Sequence, residues 1–202
     1  SGKTNVLDGI HYLSLTKSAL QSSDGLSIKH GTEFFTVKGK FTVDGNPLEV
    51  RCTLEQGKKK QIFQNGKAVE KVSDHVGKIP LVLIAPDDTE LIKGGSEGRR
   101  KFFDGLLAQL DHPYLDQLIR YHHFLKQRNA LLKQFADTGR RDLTLLAAYE
   151  EELIPLSQSL AKRRAALIQE ISPLLQRYYE ALSMGREQVA LNYDTEALSE
   201  NF

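Results

Sequence analysis

Near the start of the chain, Gly2-Lys3-Thr4 brings together three residues of the types that hold a phosphate chain. They match the end of G-x-x-x-x-G-K-S/T. In that loop backbone amides cradle phosphates, the Lys meets the β/γ oxygens and the Thr hydroxyl ligates Mg²⁺. The triplet alone recurs by chance, but its setting fits. Asn5 to Leu13 follows with Val6, Leu7, Ile10 and Leu13 on one helical face, so a helix springs from the Lys-Thr pair. A second cationic group, Arg99-Arg100, follows Gly94-Gly95 and a helix start at Ser96. Two arginines beside a helix N-terminus suit phosphate, although their types equally allow a joining turn held by local salt bridges. Arg100 lies one turn from Asp104 and is expected to pair with it. Arg99 points about a hundred degrees away and is expected to be free for phosphate.

The elements that must position these groups change character at Pro86–Asp104. Before it, residues 25–72 read as a meander. Phe34–Val43 is rich in strand formers, Asp44-Gly45-Asn46-Pro47 turns, and Leu48–Leu54 alternates. Gln61–Gln64, Asn65-Gly66 and Lys67–Val69 form a hairpin with a two-residue turn. The Lys58-Lys59-Lys60 run falls on a turn, as a solvated tip or a DNA-backbone contact. Leu81–Ile84 reads as a buried, central parallel strand.

After the joint the periodicity becomes helical. One helix covers Ser96–Leu110, broken by Asp111-His112-Pro113, with Pro113 suited to a first turn. A second runs to about Phe135, with Leu115, Leu118, Ile119, Leu125, Leu132 and Phe135 on its apolar side. A third begins at Asp142 and reaches about Met184, kinked or interrupted at Pro155 and Pro173. Gly185 ends it and Gln188–Tyr193 returns as a strand. His122 and His123 are adjacent, face different ways and make a poor metal pair.

Length allows one large domain or two small ones, and 40% apolar with 26% charged residues describes a globular chain. The lone Cys52 excludes an internal disulfide framework and points to a cytoplasmic protein, and no apolar run reaches membrane-spanning length. The net charge of +1 is unevenly spread: residues 99–141 carry nine basic and four acidic side chains, residues 142–202 five and ten. Nucleic-acid contact along the first helices or mutual attraction of two antiparallel helices would each give this pattern. The chain starts without Met, inside a motif, which predicts a piece of a longer protein.

Three stretches resemble one family. PDDTELIKGGSEGRRKFFD, residues 86–104, closely resembles a signature of RecF, an SMC/ABC-type ATPase family of bacterial recombination mediators. Ser96 stands where that family usually has Pro, and Phe103 where it usually has an aliphatic residue. GKTNVLDGIHYL is similar to the RecF P-loop helix, with Gly9 in place of a common Ala at a cost of about 1 kcal/mol of helix propensity. Leu125–Lys133, LKQRNALLK, resembles a motif of the RecF helical lobe.

The resemblance implies an α/β class, in the α+β arrangement of an ABC-type ATPase head with an antiparallel β subdomain and a helical lobe. It divides the chain into 1–85 (part of the ATP-binding lobe), 86–104 (the joint), 105–186 (the helical lobe) and 187–202 (a return strand and tail). It implies ATP and Mg²⁺ as cofactors, with Gly2, Lys3, Thr4 and Asn5 on phosphate and Thr4 on Mg²⁺. Lys17, Arg99, Arg100 and Arg128 are the candidates for DNA or phosphate contact. Relatives often place a metal-sensing Gln after the strand ending at Ile84; here Asp87 or Asp88 stands near the metal or simply caps the turn. The implied partners are duplex DNA at gap junctions, RecR, RecO and the RecA pathway, and a second copy in an ATP-dependent homodimer, with no membrane. The implied role is recombinational repair of single-strand gaps and stalled forks, with a weak DNA-dependent ATPase in the parent and an inactive isolated piece. Another P-loop NTPase, or a non-enzymatic helical interaction module, remains the alternative.

Overall fold

The computed structural model describes residues 2–199. Two compact units emerge, Ser1–His112 and Pro113–Phe202.

In the first unit, helix α1 (Lys3–Leu15) lies against a four-stranded antiparallel sheet of order β1-β2-β3-β4: β1 (Phe34–Val43), β2 (Asn46–Glu55), β3 (Gln61–Gln64) and β4 (Lys67–Ala68). The expected turns form where glycine and its neighbour tolerate positive φ. Asp44-Gly45 adopts φ 49° and 78°, and Asn65-Gly66 adopts 47° and 81°, which matches the right-handed twist of the strands they join. Alternation then sorts the side chains. Phe35, Val37, Phe41, Val43 and Leu48 pack with buried Val50, Cys52 and Ile62 on one face, where Tyr12 and Leu13 of α1 close the core. Each large apolar side chain fully buried there contributes about 1.5–3 kcal/mol. The approach is closest at Gly39, where a Cβ would stand 2.6 Å from Leu13 Cδ1.

The joint holds a 3-10 turn at Pro86–Thr89, a short helix α2 (Glu90–Lys93) and α3 (Ser96–Leu110). Asp88 resolves to the capping role, its Oδ2 accepting from the Ala85 amide at 2.7 Å. Leu81–Ile84 departs from the expected buried strand. It belongs to no ladder among the described residues, Val82 and Ile84 are 63% and 84% exposed, and the Leu81 amide donates instead to Gln109 Oε1 at 2.9 Å. An apolar run becomes a strand only where a neighbour accepts its backbone hydrogen bonds, and no described strand lies beside this one.

In the second unit, α4 (His112–Thr138) and α5 (Leu143–Ser183) are joined by polar rungs. Gln117 accepts from Ser159, Arg120 pairs with Glu152, and Arg164 donates to the Tyr114 hydroxyl. Pro113 occupies the first turn of α4, where no intrahelical N–H is required. The buried face of α4 is centred on Tyr114 and Leu131; Ile119 and Leu132 are exposed at 50% and 36%, contrary to the apolar side read from the sequence. Helix α5 is continuous through Pro155 and Pro173 rather than interrupted. The carbonyls these prolines leave without donors belong to exposed Glu151 and Gln169, where water can serve them. Buried Leu153, Leu156, Leu160, Leu167 and Ile168 hold the helix. Met184 and Gly185 end it in the left-handed region, and both amides return to the Glu180 carbonyl. Residues 188–193 form no strand among the described residues; the Val189 amide bonds Gln176 Oε1 of α5 instead. No described helix is long and apolar enough to cross a membrane.

Candidate functional site

Helix α1 begins at Lys3 with Gly2 as N-cap, no side-chain cap and no acid in its first turn. The amides of Lys3, Thr4 and Asn5 precede the first intrahelical bond, which runs from Val6 to the Gly2 carbonyl at 3.1 Å. The amides of Lys3, Thr4 and Asn5 and the positive end of the helix dipole lie at one exposed end, which also carries the Lys3 side chain. Gly2 has nothing within 4 Å of an added Cβ, so the approach to the backbone is open. Ser1 and residues 200–202 lie outside the described residues.

The opposite end of α1 is fixed. The Leu13 carbonyl accepts from His75 Nε2 at 2.6 Å, which places the ring proton on Nε2. His75 Nδ1 then accepts from Gln64 Nε2 at 2.8 Å. His75 is fully buried, and burial holds its pKa below the usual imidazole value. Ser14 Oγ donates to the Ile79 carbonyl. Lys60 Nζ donates to the Thr16 carbonyl, pairs with Asp24 at 2.6 Å and stands 4.9 Å from the Tyr12 ring centroid. Of the lysine run, Lys60 is thus a half-buried clamp on α1, Lys58 pairs with Glu55, and Lys59 is exposed. The Tyr12 hydroxyl is buried without a hydrogen-bond partner; burial, with Asp24 nearby, pushes its pKa well above the usual phenol value. Burial likewise pushes the Cys52 thiol up to about 11, which leaves it protonated and unreactive.

A side-chain staple folds the segment after α1 back along the helix. Asp8 accepts from Ser18 Oγ at 2.8 Å and from the Ala19 amide at 2.6 Å. Ser18 Oγ in turn accepts from the Leu20 and Gln21 amides. Lys17 is exposed there, and its carbonyl bonds the His11 ring. The bond between Asp8 and Ser18, ten residues apart, is not anticipated from the sequence, although Asp8 lies within the GKTNVLDGIHYL stretch.

The candidate arginines are deployed differently from the expectation. Arg99 Nη1 donates to the carbonyls of Leu91 at 3.1 Å and Gly94 at 2.8 Å. Arg100 turns back to Ser96 Oγ at 2.8 Å and does not reach Asp104. Arg128 donates from Nε and Nη2 to Glu150 Oε1, joining α4 to α5. Lys3, Thr4 and Asn5 share one helix end, Arg99 and Arg100 another, and no hydrogen bond or ion pair links the two groups.

The first turn of α1 fits the phosphate end of a nucleotide: three amides, one ammonium and one hydroxyl. For Mg²⁺ it supplies only Thr4 Oγ1, and no cluster of three His, Cys, Asp or Glu side chains forms a metal site among the described residues. A glycine-led helix with a cationic N-terminus, seated on an antiparallel sheet and followed in the chain by long helices, is the α+β arrangement that the resemblance implies for part of an ABC-type ATPase head. No family model matches the chain. Its sequence is 42% identical over 202 residues to the DNA replication and repair protein RecF of Cytophaga hutchinsonii, covering all of this chain and 53% of that protein. It is 44% identical over 199 residues to the RecF of Phocaeicola vulgatus, covering 98% of this chain and 53% of that one. Among solved structures, the recombination mediator protein RecF-ATP in the RecFOR pathway superimposes with a TM-score of 0.85 at 25% identity, over 98% of this chain and 55% of that one. The RecF-ATPrS structure gives 0.84 at 27% identity, over 91% and 49%. Over its own length the chain is homologous to RecF proteins, and it spans about half the length of the curated relatives it matches.

Proposed function

We propose that the protein is a RecF-like, ATP-dependent DNA-binding protein of recombinational repair. The observation that carries the reading is the bare first turn of α1, with Gly2, Lys3, Thr4 and Asn5 at its start, in a chain homologous to RecF from end to end. The α1 amides and Lys3 bind the phosphate chain, and Thr4 Oγ1 supplies one ligand to Mg²⁺. Bound ATP and Mg²⁺ supply the charge and bridging contacts that bring two copies together. The clamps at Leu13, Ser14 and Thr16 keep α1 fixed against the sheet, so its N-terminus meets the phosphates without reorganising. Lys3 and Thr4 act as ligands, and neither is a general base. The dimer engages duplex DNA beside single-strand gaps and cooperates with RecR, RecO and RecA. Residues 1–85 serve the nucleotide and 105–186 form the helical lobe, with 86–104 between them in the chain and 187–202 as the tail; Lys17, Arg99, Arg100 and Arg128 are each candidates for DNA or phosphate contact.

Lys3→Ala tests this. In the full-length protein the substitution removes the ammonium partner of the β/γ oxygens, so sedimentation with ATP should show the dimer lost while folding is retained. Dimerisation equal to the unmodified protein would overturn the phosphate assignment.

A further inference from the structure

The face of the sheet turned away from α1 is cationic in a way its own folding does not require. Lys38 and Arg51 are directly opposite in the β1–β2 register, and Lys40 follows on the same face. Like charges opposed across an antiparallel pair are destabilising. One carboxylate serves all three. Glu49 pairs with Lys38 at 2.9 Å, and Lys38, Lys40 and Arg51 together hold its pKa below the usual carboxylate value. Lys40 stands opposite Glu49 in the register, and neither Lys40 nor Arg51 makes an ion pair within 4 Å among the described residues. Arg51 instead lies over the Phe63 ring, its guanidinium carbon 4.1 Å from the centroid. Stacking fixes the plane of the guanidinium and leaves its edge donors outward. The exposed Thr36 hydroxyl, bonded to Thr53 at 3.0 Å, extends the polar surface along β1.

From this we infer that the outer face of the β1–β2 ribbon, through Lys38, Lys40 and Arg51, binds the phosphate backbone of duplex DNA. Lys38 and Lys40 stand about 7 Å apart along the strand, the axial rise over two nucleotide steps of one duplex strand, about 3.4 Å each. The ring beside the cations, Phe63, is covered by Arg51, and the other exposed ring of this face, Phe34, lies at the start of β1, so no bare ring stands among Lys38, Lys40 and Arg51. Binding here is therefore backbone-directed and indifferent to sequence. The inference rests on the DNA-binding part of the proposed function and adds a surface that none of the sequence motifs marks.

The test is a salt titration of duplex binding by the full-length protein, its Lys40→Gln and Arg51→Gln variants and the double variant. A control, Lys71→Gln/Lys162→Gln, loses the same charge elsewhere. Each lost phosphate contact lowers the slope of log Kobs against log salt by about 0.9, so the double variant loses about 2 in slope and binds about tenfold more weakly. Lys40→Gln, at an exposed residue without an ion pair, keeps the test valid if Arg51→Gln unfolds. Unchanged slope and affinity in the variants, or an equal loss in the control, overturns the surface while leaving the proposed function intact. If the unmodified protein binds no duplex, the DNA-binding reading falls and this surface with it. A loss confined to single strands also overturns it.

Discussion

Arg99 donates through one nitrogen to the carbonyl of Gly94, 2.8 Å away, and to that of Leu91. The guanidinium therefore caps the end of α2 from the first turn of α3, holding the two helices in one joint. Gly94 is suited to that place, because a Cβ there would stand 2.6 Å from the Glu90 carbonyl oxygen. Arg99, expected to be free, is held, and Arg100, expected on Asp104, bonds Ser96 instead.

A stability difference between the two arginines follows. Arg99→Ala removes a charged donor from two carbonyls and should cost about 1 kcal/mol, reduced from the buried value by exposure to water. Arg100→Ala removes one exposed bond to Ser96 and should change stability by less than about 0.5 kcal/mol. Urea denaturation of the two variants checks this; equal midpoints would show that the Arg99 cap contributes nothing.

Stability should fall in mild acid through His75. Its folded pKa is depressed by burial, so below the ordinary imidazole value of about 6.5 the unfolded chain binds the proton more readily. The contribution is complete above that pH and is lost as pH falls through the folded pKa. A protonated ring also loses its Nδ1 acceptor, breaking the bond from Gln64. Melting temperatures measured from pH 8 to pH 5 should decline, and more steeply than in His75→Gln. Parallel declines would exclude His75 as the source.

Two glycines should respond oppositely to alanine. At Gly9 an added Cβ meets only Val37 Cγ1, at 3.8 Å, so Gly9→Ala should stabilise by about 1 kcal/mol through helix propensity. At Gly77 φ is +87° and the Cβ would stand 2.4 Å from the Gln109 carbonyl oxygen. Gly77→Ala should cost about 2–4 kcal/mol from backbone strain and displacement of the end of α3. Shifts of denaturant midpoint at constant m-value would establish both signs.

The sequence by itself determined what depends on neighbours in the chain. Period-two alternation and the Asp44-Gly45 and Asn65-Gly66 turns placed the meander, since those forces act over a few residues. Gly94-Gly95, Pro113 and Gly185 bounded the helices for the same reason, and Gly2-Lys3-Thr4 before an apolar-periodic run marked the start of α1. Tertiary structure decided the rest. Leu81–Ile84 has a strand's composition but no described strand beside it. Pro155 and Pro173 lie within α5 because buried leucines outweigh their missing N–H groups. Arg99 found carbonyls of a preceding turn, and Arg128 found Glu150 on another helix. The opposition of Lys38 and Arg51 depends on β1–β2 register, and the buried bridge from Leu13 through His75 to Gln64 joins residues far apart in sequence. Such contacts are set by which surfaces meet, and a linear pattern does not encode them directly.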